Sequence, residues 1–456
     1  MLANVFRVGL SFSATVISIR LMGLEGFGVI SGIVAHVLVA HYIGTLGLDQ
    51  SFAKPEALNI ARSVVVVGLG ISLTLGAITV CVIYLLADIA EAFPSVFLLL
   101  AAQAILTGVG GIMSGYLRLT QQYSLMIWKD QVLLPVSTLI SALAVLVTSD
   151  SILAYAATYF TLTLFIVSYV TFRVSLSLPA VGEERVHVMP ALMMLWRSLP
   201  VAVMTAVESF GPAVLLILAT HVVSYDEVGL LATAIRFAAL TGLFSLALSP
   251  ILGGRIAAAG SVRAKEAEDL VKKYALVSAA GAIAVYMFMV AFGAEITRAL
   301  RIGGDQVGGL WIVVFLAFLI DSVSSVFKVV LISSGEAALL SKIQILGFLT
   351  TGITAGLLGD ALGLPGLAIG LTVGFLVVTV GRLRRVSVVL PGCVAWIARQ
   401  GVILWGLCFG ALLSLAVVFG FALWVRTVLF LLGVFAVGYG TFRLWGVKSD
   451  DRHASH

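Results

Sequence analysis

Residues 2–48 read LANVFRVGLSFSATVISIRLMGLEGFGVISGIVAHVLVAHYIGTLGL. Two apolar runs, 2–22 and 27–48, flank a short break at Gly23-Leu-Glu-Gly26. About 20 apolar residues rising 1.5 Å each cross the hydrocarbon core of a bilayer, so each run has the length of one transmembrane helix. The same reading, cut at charged, proline-bearing and glycine-bearing breaks, extends along the whole chain. It predicts an all-α integral membrane protein with fourteen segments: 2–22, 27–48, 63–86, 94–117, 125–147, 151–172, 192–220, 227–252, 272–294, 309–332, 336–358, 363–381, 400–420 and 423–444.

Composition agrees. Of 456 residues 61% are hydrophobic and 11% charged, with mean hydropathy +1.15, whereas soluble domains carry about 25% charge. Most of the 46 glycines and six of the ten prolines lie within the apolar runs, as transmembrane helices tolerate. Cys81, Cys393 and Cys408 also fall in apolar runs, without metal-ligand or disulfide spacing, and read as packing residues. The net charge of +5 is spread over short connections with no basic and aromatic cluster, which argues against a nucleic-acid partner.

An even number of spans puts both termini on one side. With that side cytoplasmic, 22 of the 27 lysines and arginines fall in cytoplasmic loops or helix ends, among them Lys129, Arg173, Arg382 and Arg385. Arg20, Arg298, Arg301 and Arg426 fall on the other side and Arg236 lies mid-helix. This asymmetry is the positive-inside pattern of a multi-pass cell (inner) membrane protein. Six of seven tryptophans lie near predicted helix ends, where their rings favour the interface, and Trp405 alone is interior. The first run lacks a small-residue cleavage site and is kept as helix one. The longest connections, 173–191 and 253–271, leave no room for a soluble catalytic domain between spans, so function is expected within the membrane. Gly26-Phe27-Gly28-Val29-Ile30 is echoed by Glu227-Val228-Gly229-Leu230-Leu231, each opening the second helix of a pair. Such an echo predicts two repeats of six helices, a common plan of secondary transporters. The predicted organisation is a six-helix bundle over 1–172, a cytoplasmic linker over 173–191, a second bundle over 192–385, and two further helices with a tail over 386–456.

Charges at mid-bilayer carry a free-energy cost of roughly 2.5–3.5 kcal/mol and mark functional or paired groups. Glu208, Arg236 and Asp321 each lie ten to twelve residues from the predicted outer helix end, a depth of about 15–18 Å. Pro212 leaves the carbonyl of Glu208 without its helical donor, so a carboxylate and a free carbonyl coincide there. That is either a Na⁺ or H⁺ coupling site, or hinge, or a static Glu208–Arg236 pair. Asp321 shares a helix face with Lys328, which is expected to snorkel to the cytoplasmic surface. Arg7 and Arg20 lie near opposite ends of helix one, about 140° apart around its axis. His36 and His41 lie on different faces of helix two and have no partner at metal-ligand spacing. Nucleophile-elbow, P-loop and zinc-protease motifs are absent from the sequence, so no catalytic residue, metal or cofactor is assigned.

Arg20-Leu-Met-Gly-Leu-Glu-Gly-Phe-Gly28, followed by Gly44-Thr-Leu-Gly-Leu-Asp49, resembles the opening of Wzx-type oligosaccharide-lipid flippases of the multidrug/oligosaccharidyl-lipid/polysaccharide exporter superfamily. Leu199-Pro200, Tyr225-Asp-Glu-Val-Gly229 with Ala234-Ile-Arg236, and Gly363-Leu-Pro-Gly-Leu-Ala368 fall in the order of similar patterns in that family. The resemblance implies two six-helix bundles around a V-shaped cavity. By alternating access they would move a polyprenyl-diphosphate-linked oligosaccharide to the outer leaflet for lipopolysaccharide or exopolysaccharide synthesis. It also implies Arg7, Arg20 and Arg236 as diphosphate contacts, with His36 and His41 assisting, and polysaccharide assembly proteins as partners. Two alternatives stand beside it. A cation-coupled exporter of drugs or metabolites would use Glu208 and Asp321. A membrane-embedded polymerase, ligase or glycosyltransferase would be expected to carry a large extramembrane loop.

Overall fold

The structure, a computed structural model, describes residues 2–45, 60–148, 150–177, 187–258, 265–300, 307–399 and 401–446. Positions 178–186 of the linker and the end of the 44–49 motif lie outside them. The described residues form helices and turns with no strand among them. Among the described residues, every one of the fourteen predicted segments is occupied by helix. α1 (Leu2–Thr45) holds the first two, joined at Gly23, whose φ of 74° breaks the helical path. α2 (Ala61–Leu86), α3 (Asp88–Ala92) and α4 (Pro94–Leu119) follow. The next span is α5 (Tyr123–Ile127), a π-helical turn (Trp128–Leu133) and α6 (Leu134–Ala144). α7 (Ser151–Ser177), α8 (Val188–Val222), α9 (Tyr225–Ala238) and α10 (Leu243–Ala258) come next, α9 and α10 being joined by a 3₁₀ turn. α11 (Lys265–Leu300), α12 (Val307–Ser333), α13 (Ala337–Leu362), α14 (Leu364–Val389), the short α15 (Cys393–Arg399), α16 (Val402–Val418) and α17 (Leu423–Gly446) complete the chain.

Twelve of these stretches are long and apolar enough to cross a membrane. The 40-residue Phe6–Thr45 stretch has the length of two crossings, and α16 is a shorter apolar helix. Several helices overrun the apolar segments. α14 continues to Val389, and α11 starts at Lys265, because a helix keeps its own backbone hydrogen bonds beyond the hydrocarbon edge. Leu85, Leu86, Phe165, Leu357 and Phe442 are each at least 70% exposed, as side chains facing acyl chains must be. Of the cysteines Cys393 is buried, while Cys81 and Cys408 are exposed and so do not pack in the interior as expected. Burial pushes the Cys393 thiol up to about 11.

The chain divides into two compact units, Met1–Ala232 and Thr233–His456. In the first, α1 packs on α2, α4, α6 and α8, and α4 packs on α7. In the second, α14 packs on α12 and α13, and α11 on α12, α16 and α17.

Lipid tails are as apolar as leucine, so helices in a bilayer associate through close packing, which small residues permit. α13 and α14 show this over a long contact. Gly363 ends α13 with φ 63°, and Pro365 occupies the first turn of α14, so the chain reverses at once. Gly366, Gly370 and Gly374 then present backbone to the facing helix. A Cβ at Gly366 would lie 2.0 Å from the Leu358 carbonyl oxygen, and one at Gly374 1.8 Å from Thr351 Oγ1. In the first unit the two echoed sequences meet one another. A Cβ on Gly28 would sit 1.9 Å from the Tyr225 carbonyl oxygen, and one on Gly229 would sit 2.2 Å from that of Leu24. The likeness read along the sequence is a reciprocal contact in space.

Gly28→Ala is therefore expected to destabilise the protein by about 1–3 kcal/mol through overpacking. Gly356→Ala, where an added Cβ meets open space, is expected to leave stability unchanged or slightly raised. Thermal unfolding of the two purified variants in detergent compares them directly, and equal midpoints would refute the close-packing account.

Candidate functional site

In the second unit, α12 and α14 bring together a buried polar cluster. Arg382, with no exposed surface, donates from Nη1 to Asp321 Oδ1 at 2.8 Å and to Ser324 Oγ at 3.1 Å. Ser324 Oγ lies 3.0 Å from Thr379 Oγ1, which donates to the Ile320 carbonyl at 3.0 Å. The Asp321 side chain keeps 23% exposure. A few residues away, Thr241 Oγ1 of the 3₁₀ turn and Ser322 Oγ are 3.1 Å apart. Arg236 is half-buried, three residues before that turn. Asp321 is thus a member of an ion pair, and Arg382, expected at the cytoplasmic helix end, lies seven residues inside α14 with its head turned inward. Arg385 pairs with Glu336, the residue preceding α13.

The first unit contains a second cluster that sequence reading missed. Lys129, placed at a cytoplasmic helix end, is 2% exposed and lies on the π turn within the Tyr123–Val147 span. Its Nζ donates to the Gly110 carbonyl at 2.6 Å and pairs with Asp130 Oδ1 at 2.8 Å. Asp130 Oδ2 accepts from Ser114 Oγ at 2.9 Å. Gly110 leaves the room, since a Cβ there would stand 3.3 Å from the ammonium nitrogen. The available signal was the adjacent Lys129-Asp130 pair close to an otherwise apolar run. π turns recur at functional sites because the extra residue redirects side chains.

The remaining sequence-predicted residues distribute as follows. His36, 6% exposed, donates from Nδ1 to the Gly32 carbonyl at 2.8 Å, with the His221 ring centroid 6.4 Å away. His41 Nδ1 lies 3.2 Å from the Ala104 carbonyl on α4. The two imidazoles thus face different neighbours, and among the described residues no group of three or more His, Cys, Asp or Glu converges as metal ligands would. Tyr42 OH donates to Ser209 Oγ at 2.7 Å, fastening α1 to α8 beside Glu208. α8 runs as one helix through both Pro200 and Pro212. Glu208 is half-buried in the first unit, while Arg236 belongs to the second. Arg7 is partly buried and Arg20 exposed, the latter three residues before the Gly23 break. A third ionic cluster ties α17 to α11: Arg426, 8% exposed, donates to Glu295 Oε1 at 2.6 Å and to the Ala291 carbonyl at 3.1 Å.

No family profile and no curated protein sequence matches the chain. Solved structures do match. The fold is similar to that of several solved membrane transporters. A structure described as the lipid II flippase MurJ in an inward closed conformation is similar with TM-score 0.74 over 97% of this chain and 98% of that one, at 12% identity. An inward-facing multidrug resistance MATE family transporter of the MOP superfamily is similar with TM-score 0.62 over 89% and 95%, at 14% identity. The bent form of the Vibrio cholerae MATE transporter VcmN gives TM-score 0.53 over 87% and 97%, at 13% identity.

Removing one member of a buried pair strands the other charge, which costs about 3–5 kcal/mol, whereas removing both is far less harmful. Arg382→Met is expected to destabilise the protein on that scale, and Arg382→Met with Asp321→Asn by clearly less. Denaturant unfolding of the two single variants and the double variant measures the coupling. Additive losses would show that the pair contributes nothing.

Proposed function

We propose that this chain is an alternating-access flippase moving a polyprenyl-diphosphate-linked oligosaccharide from the cytoplasmic to the outer leaflet, for cell-surface polysaccharide assembly. The observation that carries the reading is the nearly end-to-end match to a lipid flippase structure. The multidrug transporter structures leave more of this chain unmatched. In this reading the two six-helix bundles alternate, both termini lie in the cytoplasm of an inner-membrane protein, and polysaccharide assembly proteins take the product onward.

The diphosphate is the strongest handle on such a substrate. Guanidinium groups bind phosphate oxygens bidentately, and the pairing gains strength away from water. Arg236, partly exposed beside a break between two helices, is the first choice for this contact, with Arg7 and Arg20 at other depths and His36 and His41 as helpers. Glu208 and Pro212 serve as coupling group and hinge on α8. Asp321 couples by protonation or cation binding that releases Arg382. A second reading, a cation-coupled exporter, is favoured by the similarity to multidrug transporter structures and by these same acids.

Arg236→Ala is expected to reduce delivery of lipid-linked sugar to the outer leaflet by roughly tenfold or more, the scale of one lost charge-assisted contact, with Arg236→Lys retaining part of it. Unchanged delivery in Arg236→Ala would remove the assigned role. The acids are tested separately: translocation in vesicles should respond to an imposed Na⁺ or pH gradient, and Asp321→Asn should abolish the response. Indifference to both gradients would eliminate the coupling assignment.

A further inference from the structure

A cavity of about 460 Å³ opens on the first unit between the α5 span and α7, lined by Gln122, Ser124, Leu125, Trp128, Tyr169 and Arg173 among others. Its lining holds one cation and no carboxylate. Among the described residues Arg173 has no ion-pair partner, whereas Lys129, one residue from Trp128, is turned inward and held by Asp130. From the cavity an apolar stripe continues along α7. Phe165, Tyr169, Phe172 and Leu176 follow one another at helical spacing and are 70%, 51%, 60% and 68% exposed. Trp128 is 58% exposed.

We propose that this cavity binds the headgroup of an anionic phospholipid of the surrounding bilayer, with the acyl chains running from Arg173 toward the bilayer centre past Phe172 and Phe165. Arg173 meets the phosphodiester, the chemistry for which a guanidinium fork is suited. Gln122 and Ser124 offer neutral donors to the glycerol and ester oxygens. Trp128 and Tyr169 sit where an apolar ring with a polar tip is stable, at the boundary of headgroup and hydrocarbon. A basic pocket between transmembrane helices is the recognised form of such a site. The proposal rests on the membrane fold and is independent of the transported substrate. Because Trp128 and Lys129 share the π turn, an occupied site also braces the turn that holds the buried lysine.

The test uses the full-length protein in detergent with added phosphatidylglycerol, counted as bound lipid by native mass spectrometry. The parent protein should retain phosphatidylglycerol in preference to phosphatidylcholine. Arg173→Gln should lower that retention roughly tenfold, and Arg173→Lys should restore part of it. Arg384→Gln, which removes an exposed cation from the other unit, should change nothing. An equal drop in Arg384→Gln, or displacement of the lipid by millimolar inorganic phosphate, would overturn the proposal. A readout on intact protein accompanies it: brominated phosphatidylglycerol should quench Trp128 fluorescence, taken as the difference between the parent and Trp128→Phe, more than brominated phosphatidylcholine does. Equal quenching by the two lipids would also overturn it.

Discussion

Where α1 crosses α9, backbone lies against backbone. The carbonyl oxygens of Tyr225 and Leu24 occupy the places that side chains on Gly28 and Gly229 would need. Water supplies no apolar driving force between helices inside a bilayer, so stability there depends on how closely they approach. This crossing also fixes where α1 can go afterwards. Its second half runs on to place His41 against α4 and Tyr42 against α8, so the position of the polar groups in the first unit follows from two residues that lack side chains. The α13–α14 hairpin applies the same principle in the second unit, with three glycines four residues apart on one ridge.

Charge is the other means of joining side chains, and three cation–acid contacts stand out among the described residues. Arg382 with Asp321, Arg426 with Glu295, and Lys129 with Asp130 each place a cation within reach of an acid. Two of the three join different helices, so each pair limits how far those helices can slide. Serine and threonine hydroxyls surround the Asp321 pair and turn it into a network. Such a network holds one arrangement well and is disturbed as a whole when a single proton or ion enters.

Much of this architecture was legible in the sequence because membrane helices follow one simple rule of length and hydropathy. Among the described residues the fourteen apolar runs are helical, and the Gly28 and Gly229 segments that echo one another in sequence touch in space. What escaped was charge inside helices. Counting lysines and arginines by loop or nearest helix end puts Lys129 and Arg382 at the cytoplasmic surface, whereas both are buried. Arg382 finds its acid 61 residues away, a separation that periodicity cannot bridge. The π turn was illegible for a related reason: it is a local rearrangement around one buried ammonium and leaves no distinctive pattern of its own. The sequence puts Arg236 in mid-helix, whereas it lies in the last turn of α9, because a 3₁₀ turn follows at Ala239-Leu-Thr-Gly242, a stretch that contains only residues a helix accepts.

The π turn at Trp128–Leu133 divides its span into two stretches of differing phase. Each residue of an α-helix advances about 100° around the axis, so one additional residue in a turn rotates everything beyond it by that angle. Residues before the turn and after it consequently address the membrane by separate registers, as though two helices had been spliced with an offset. The packing face of α6 is thereby set in a phase of its own, separate from that of the residues before Trp128.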